Sequence, residues 1–304
     1  MRNTFAEAVY QAAKSDPRIY VVVADISPAG AISEFSKQWP HRFINTGVAE
    51  QNMISISAGL AMRGMRPFAY TIATFSLYRP FEMVRNDVCY QELPVTIVGM
   101  GTGVVYSTLG STHHAQEDIA VAGAIPNMRI IAPCDPAEVT HAVEYCAKQT
   151  DGPVYLRLGK AGEPVVSDDA VDPWEFGKIR YLRKGSDVCV ITHGSIVSRA
   201  LELVDYLNAQ GKSVSVISAH TLKPFDSEGI ARALASHDQA IVIEEHAPQG
   251  GLASLTKQAA WDGGVTCDLR TFTLKDEFIH CYGSHQDILA AHGLSLQALI
   301  DGVS

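Results

Sequence analysis

Short apolar runs alternate with longer amphipathic stretches along the first half of the chain. The short runs are rich in β-branched residues, which predicts strands at 19–24, 67–75, 94–100, 128–133 and 153–158. The stretches between them place apolar positions at helical spacing, which predicts helices at 4–14, 53–62, 78–91 and 136–150. Strands and helices in alternation are typical of a parallel sheet whose strands are joined by crossover helices.

The stretch 162–173 interrupts this pattern with Gly, Pro and acidic residues, so we interpret it as part of a linker. The alternation then resumes, with predicted strands at 187–192, 213–217 and 240–245 and predicted helices at 196–208 and 252–261. The prediction is an α/β protein with two consecutive open sheets, mainly parallel and flanked by helices. Its first domain covers 1–165, its linker 166–184 and its second domain 185–304.

Length and charge narrow the class of protein. The chain has 304 residues, more than the roughly 100–200 of a usual domain, which agrees with two domains. A net charge of −9 argues against nucleic acid or an anionic membrane surface as the main partner.

The first residues show no pattern of a signal peptide, and no apolar run reaches the ~18 residues of a membrane span. We therefore expect a cytoplasmic protein.

The six cysteines are far apart in the sequence and form no C-x-x-C pair. This spacing matches neither a zinc site nor a redox couple, so we expect no metal site built from them. They are interpreted as reduced and mainly buried thiols.

Candidate chemistry lies just after the predicted strands, where ligands gather in open α/β sheets. Glu50 opens a predicted helix and is expected to lie largely out of water. An aromatic group follows it in the sequence: Phe75, Tyr78 and Phe81. A carboxylate beside aromatic rings suits a flat heteroaromatic ligand, whereas the alternative is a carboxylate that only stabilises the start of a helix.

The run Asn-Thr-Gly-Val-Ala-Glu-Gln-Asn-Met at 45–53 resembles the pyrimidine-binding domain of thiamine-diphosphate enzymes of the transketolase type. Stretches at 222–226, 244–251 and 276–280 are similar to the C-terminal domain of that family. The resemblance implies that Glu50 bonds a ring nitrogen of the aminopyrimidine and so helps to deprotonate the thiazolium carbon. It also implies that the three aromatic residues surround the aminopyrimidine, and that Asp25 approaches the thiazolium across a subunit interface. An N-cap is the alternative role for Asp25.

The run Gly-Ser-Thr-His-His at 110–114 resembles the family's Gly-x-Thr-His-Gln. The resemblance implies that His113 contacts oxygen atoms of the sugar donor, with His114 beside it in place of Gln. An imidazole donates or accepts a proton near neutral pH, which suits this role. The alternative is an ordinary pair of hydrogen-bonded histidines in a loop.

Two cations match phosphate-binding positions of the family: Arg2 and Lys160, the latter in place of an Arg. Lys keeps the positive charge but loses the bidentate fork of Arg. The family also has a His where Gly101 stands and an acidic residue where Leu109 stands. We therefore expect recognition of the sugar hydroxyls to differ.

The sequence has no Gly-Asp-Gly, the family's motif for the metal that holds the diphosphate. The resemblance therefore implies the C-terminal subunit of a split transketolase, acting on small sugars. An N-terminal partner subunit would supply the diphosphate-binding domain and Mg²⁺ or Ca²⁺. We expect an α2β2 heterotetramer in which this chain dimerises.

Three alternatives stay open at this point. The chain could be the β-subunit of a 2-oxoacid dehydrogenase, part of an enzyme like deoxyxylulose-phosphate synthase, or a scaffold subunit without catalytic activity. The Ser-Thr-His run at 111–113 argues against the dehydrogenase. An assay for acylation of a lipoyl domain would distinguish a dehydrogenase subunit from a transketolase subunit. The joint presence of Glu50, Phe75 and His113 argues against the scaffold.

Overall fold

The computed structural model describes residues 1–26 and 30–303, which form two sheets flanked by helices. Within these ranges the strands are β1 Ile19–Val23, β2 Phe43–Asn45, β3 Arg66–Ile72, β4 Thr96–Met100, β5 Arg129–Ile131, β6 Val154–Leu158, β7 Arg180–Arg183, β8 Val188–Thr192, β9 Val214–Ser218, β10 Thr221–Lys223, β11 Gln239–Ile243 and β12 Asp268–Phe272. The α-helices there are α1 Arg2–Ser15, α2 Ala31–Gln38, α3 Glu50–Met62, α4 Ala73–Leu77, α5 Phe81–Met83, α6 Asp118–Gly123, α7 Pro136–Lys148, α8 Val197–Ala209, α9 Ser227–Ala235, α10 Leu252–Asp262, α11 His285–Ala291 and α12 Leu296–Val303. The predicted fold class is confirmed.

Both sheets are parallel except at one edge. The first has the strand order β10-β5-β6-β4-β3-β1-β2, and only β10 pairs antiparallel with its neighbour. The second has the order β12-β11-β8-β9-β7, and only β7 is antiparallel. The pattern of apolar residues did not predict the two antiparallel edge strands, β10 and β7, because both are short. β7 lies inside the segment predicted as a linker, and β10 comes from the second half of the chain but completes the first sheet.

Helices pack on both faces of the first sheet. Successive side chains of a strand point to opposite faces, so Val21 and Val23 of β1 enter one apolar cluster while Val22 enters another. Met53 and Ile54 of α3 are fully buried in the cluster that contains Val22. This packing fixes α3, and therefore its first residue, against the sheet.

The helix predicted at 78–91 is wrong in form. Its place is taken by a turn at 78–80, the single turn α5 and a π-helix at Val84–Cys89. Pro80 lacks a backbone N–H, and its ring clashes with the preceding helical turn, so a continuous helix cannot pass through it. Because α4 already begins at Ala73, Phe75 lies on a helix and not at the end of a strand.

No helix in the described part of the chain is long and apolar enough to span a bilayer. All six cysteines are free thiols, and those at 89, 134, 146 and 189 are buried. Burial raises the pKa of Cys89, Cys146 and Cys189, each to about 12. These three thiols are therefore neutral at physiological pH.

Candidate active site

A cavity of about 300 Å³ opens where β1 and β3 end. It is lined by Ala24, Asp25, Ile26, Val48, Glu50, Thr71, Ile72, Phe75, Arg79 and His113. Because the strands are parallel, their carboxyl ends meet at one edge of the sheet. The structure therefore brings together four residues that the sequence singled out: Asp25, Glu50, Phe75 and His113.

Glu50 is the first residue of α3, and only 3% of its side chain is exposed. The preceding Ala49 offers no side chain that caps the helix. Both carboxylate oxygens of Glu50 accept hydrogen bonds from Nη1 of Arg79, each at 2.8 Å. The carboxylate is thus directed into the cavity and paired with a cation from the turn after α4.

Phe75 supplies a flat aromatic surface in the same cavity. The Arg79 guanidinium carbon lies 4.5 Å from the centre of its ring. The ring of His113 meets Phe75 edge to face, with 5.3 Å between the ring centres. Phe75 therefore lies between the Glu50–Arg79 pair on one side of the cavity and His113 on the other.

The loop that carries His113 is held from two directions. Gly103 and Ala115 exchange backbone hydrogen bonds of 3.1 and 2.8 Å, which close the loop at its base. The second half of the chain contributes Glu245, whose Oε1 accepts from the Val104 N–H at 2.6 Å. It also contributes the Ile279 carbonyl, which accepts from the Ser111 hydroxyl at 2.8 Å. The position of His113 thus depends on both halves.

Gly101 begins this loop with a φ of +70°, in the left-handed region that favours glycine. A Cβ at this position would overlap the ring of Tyr106. The centre of the Tyr106 ring lies 6.4 Å from that of His113. An aromatic ring therefore fills the space beside the glycine at which the transketolase pattern has a histidine.

Arg2 and Lys160 lie side by side, since the Arg2 N–H donates to the Lys160 carbonyl at 3.1 Å. Nζ of Lys160 lies 5.1 Å from the centre of the Tyr106 ring, on which His113 also packs. Nε of Arg2 is buried and has no acceptor among the described residues. The two cations thus form a basic pair next to the cavity, outside its lining.

Asp25 follows β1 at the rim of the cavity, and its side chain is exposed. Its φ of +56° is one that Asp tolerates better than most residues. The side-chain oxygen of Asn45, at the end of β2, accepts from the Asp25 N–H at 3.3 Å. The neighbouring strand therefore fixes the turn that presents this carboxylate.

Besides Arg2 and Lys160, three further predicted site residues do not line the cavity. Burial, with the nearby Asp118 and Glu117, raises the pKa of Tyr78, whose side chain faces the start of α6. Phe81 lies beyond the turn at Pro80 and is 37% exposed. His114 is 2% exposed, and burial lowers its pKa.

Arg79 is a charged lining residue that the sequence pattern did not single out. It lies four residues after Phe75, about one helical turn, so its stacking on Phe75 could have been expected. Its bond to Glu50 spans 29 residues, and no local pattern indicates such a contact.

Fold and site together define a two-domain α/β protein with a carboxylate-and-aromatic cavity in its first domain. The family model for the transketolase pyrimidine-binding domain matches residues 1–162, and the model for the transketolase C-terminal domain matches residues 177–299. The chain belongs to the transketolase family. This confirms the family resemblance given by the motif at 45–53.

An apulose-4-phosphate transketolase subunit from Phocaeicola vulgatus is 32% identical over 300 residues, which cover 98% of this chain and 94% of the relative. The 6-deoxy-6-sulfo-D-fructose transketolase subunit SqwH from a Clostridium species is 34% identical over 286 residues, 93% of this chain and 86% of the relative. A solved structure described as a split gene transketolase, inactive β4 tetramer, is 33% identical, with a TM-score of 0.89 and coverage of 99% and 96%. This chain is therefore similar over nearly its whole length to subunits of split transketolases.

Proposed function

We propose that this chain is the C-terminal subunit of a thiamine-diphosphate-dependent split transketolase. The enzyme would transfer a two-carbon ketol unit from a ketose to an aldose or another aldehyde. The observation that carries the proposal is Glu50, a buried carboxylate that faces a cavity beside the ring of Phe75. The names of the related subunits support it.

The residues of the cavity fit the aminopyrimidine part of the cofactor. The ring of Phe75 offers a flat apolar face, and the oxygens of Glu50 offer acceptors for a protonated ring nitrogen. When bound, thiamine diphosphate supplies a nucleophilic carbon that takes up the ketol unit. Glu50 would hold the proton at the ring nitrogen, and its burial strengthens that bond by excluding water.

His113 and Asp25 would act on the other side of the cavity. The imidazole of His113 can take a proton from a sugar hydroxyl or return it to a carbonyl oxygen, since imidazoles exchange protons readily near neutral pH. The carboxylate of Asp25, at the rim, would favour positive charge that develops next to it. Phe75 positions the His113 ring for this work through their edge-to-face contact.

The diphosphate and its divalent metal, Mg²⁺ or Ca²⁺, would be held by an N-terminal partner subunit. Val48 lies on the cavity lining with 71% of its surface exposed, so an apolar rim is available to a partner. The related β4 tetramer is described as inactive, which agrees with a subunit that does not work alone. We propose an α2β2 assembly, the closed symmetric form with two copies of each chain.

Mixing experiments test this function. The purified chain is expected to bind thiamine diphosphate poorly and to show no ketol transfer. Adding an N-terminal subunit that carries Gly-Asp-Gly, with Mg²⁺, should restore both. Calorimetry and a coupled assay of aldehyde formation measure the two properties, and saturable transfer by this chain alone would rule out the split-enzyme assignment.

We further propose that the donor ketose ends in an anion, either phosphate or sulfonate. Arg2 and Lys160 form the basic pair beside Tyr106, and Nε of Arg2 has no acceptor among the residues described. The related subunits are named for a phosphorylated and a sulfonated substrate. A charge-assisted bond from each cation would position the far end of such a sugar.

Lys160→Met is expected to raise the KM for an anionic ketose about tenfold or more. A hydrogen bond to a charged group contributes about 1.5–3 kcal/mol, and 1.4 kcal/mol corresponds to a factor of ten. The KM for a neutral ketose of the same length serves as the control and should not change. Equal changes for the two donors would show that Lys160 does not recognise the anion.

Phe75→Ala is expected to weaken the binding of thiamine diphosphate to the assembled enzyme by about 1–3 kcal/mol, because an aromatic contact and its buried area are lost. Titration followed by protein fluorescence measures the dissociation constant. Trp261→Ala, an aromatic truncation at a residue that is 84% exposed, is the control and should leave it unchanged. Wild-type affinity in Phe75→Ala would make Phe75 an ordinary packing residue.

A further inference from the structure

We propose that the guanidinium of Arg79 is an internal ligand that occupies the place of the aminopyrimidine, so that the cofactor must displace it in order to bind. This inference rests on the proposed function, because it concerns the same cavity. It assigns the role of a displaceable internal ligand to Arg79, the lining residue that lies 4.5 Å over Phe75 and donates to Glu50.

The guanidinium uses both features that the cavity offers to a flat ligand. It is planar and lies over the ring of Phe75. Its Nη1 lies 2.8 Å from each carboxylate oxygen of Glu50, so both acceptors are engaged by one donor group. A cofactor whose ring nitrogen bonds Glu50 and whose aromatic ring packs on Phe75 would contact the same carboxylate oxygens and the same phenyl ring that Arg79 contacts. The two occupants therefore exclude each other.

The environment of Arg79 allows it to leave. Glu50 is 3% exposed and fixed at the start of α3, whereas the Arg79 side chain is 41% exposed. Arg79 lies in the turn at 78–80, where Pro80 interrupts the helix. Water can replace the partners of an exposed guanidinium, so moving it outward costs little.

The exchange of partners has a chemical consequence. While Arg79 is in place, its Nη1 donates to both oxygens of the Glu50 carboxylate. When Arg79 moves out, both oxygens can accept a hydrogen bond from a ligand in the cavity. Displacement of Arg79 therefore prepares Glu50 for its bond to a ring nitrogen.

The test measures cofactor binding in the enzyme assembled from this chain, its N-terminal partner and Mg²⁺. Arg79→Met removes the internal ligand and should bind thiamine diphosphate about fivefold more tightly, with faster association, since a partly exposed ion pair no longer has to be broken. Arg63→Met removes the same charge at the exposed far end of α3, about 20 Å away, and should leave both values unchanged. Arg79→Lys, which keeps the charge without the planar group, should fall between wild type and Arg79→Met.

A second comparison isolates the competition for the carboxylate. In a Glu50→Gln background, Arg79→Met should give no further gain, because the ion pair is already absent. Circular dichroism and size-exclusion chromatography show that each variant is folded and assembled.

Weaker binding by Arg79→Met would overturn the inference and make Arg79 a group that holds the cofactor. Unchanged affinity and association rate would also overturn it, since the two occupants would then not compete. Failure of the folded and assembled wild type to bind thiamine diphosphate would instead refute the proposed function, and the inference with it.

Discussion

Arg157→Met is expected to lower the free energy of unfolding by about 3–5 kcal/mol, the range for removing one partner of a buried ion pair. Arg157 at the end of β6 is 3% exposed, and its Nε donates to Oδ2 of Asp118 at 2.9 Å. Its Nη2 donates to the Glu245 carbonyl, also at 2.9 Å, which ties the first half of the chain to the second. Burial lowers the pKa of Arg157, but Asp118 and Tyr155 raise it on balance, so the guanidinium is permanently charged. Methionine would leave the Asp118 carboxylate buried without a cation.

Urea unfolding followed by circular dichroism measures this effect. Arg183→Met is the matched control, because Arg183 pairs with Asp205 on the surface at 3.6 Å and should contribute less than about 1 kcal/mol. Arg157→Met combined with Asp118→Asn should lose less stability than Arg157→Met alone, since no unpaired charge is left. A loss below about 1 kcal/mol in Arg157→Met would contradict the assignment of a buried bridge.

Glu50→Gln is expected to lower the turnover of the assembled enzyme by at least about 100-fold, the usual effect of losing a positioned acid–base group. Gln keeps the shape and a hydrogen-bonding oxygen but cannot hold the proton at the ring nitrogen. Folding should be preserved, because water can solvate Arg79 when the ion pair is lost. Turnover close to that of wild type would exclude Glu50 from the chemistry. Glu82→Gln, at an exposed carboxylate on α5, is the control and should not affect turnover.

The sequence predicted those parts of the cavity that depend on where strands end. Asp25 follows the predicted strand at 19–24, and Phe75 was expected to end the predicted strand at 67–75, although it lies on α4. Parallel strands bring their carboxyl ends to one edge of a sheet. Glu50 was predicted at the start of a helix and is the first residue of α3. His113 was predicted from a short motif, and the structure places its ring against Phe75. Local patterns and the general rule for parallel sheets are sufficient to place these four residues together.

Other parts depend on contacts that no local pattern records. Tyr78 and Phe81 lie outside the cavity lining, and Pro80 interrupts the helix predicted at 78–91, to which both were assigned. The Arg79–Glu50 pair joins residues that are 29 positions apart, and β10 enters the first sheet from the second half of the chain. Each of these features results from tertiary packing, which overrides local propensity.

The decisive measurement is the rate at which the thiazolium C–H proton exchanges with deuterated solvent in the Glu50→Gln complex, shown beforehand to be assembled and loaded with cofactor. Turnover alone cannot separate a chemical defect from misassembly, whereas this exchange reports cofactor activation in each loaded site. If Glu50 activates thiamine diphosphate, exchange should be slower than in the wild-type complex by at least about 100-fold. An unchanged rate would contradict this role and leave Glu50 as a carboxylate that stabilises the start of α3.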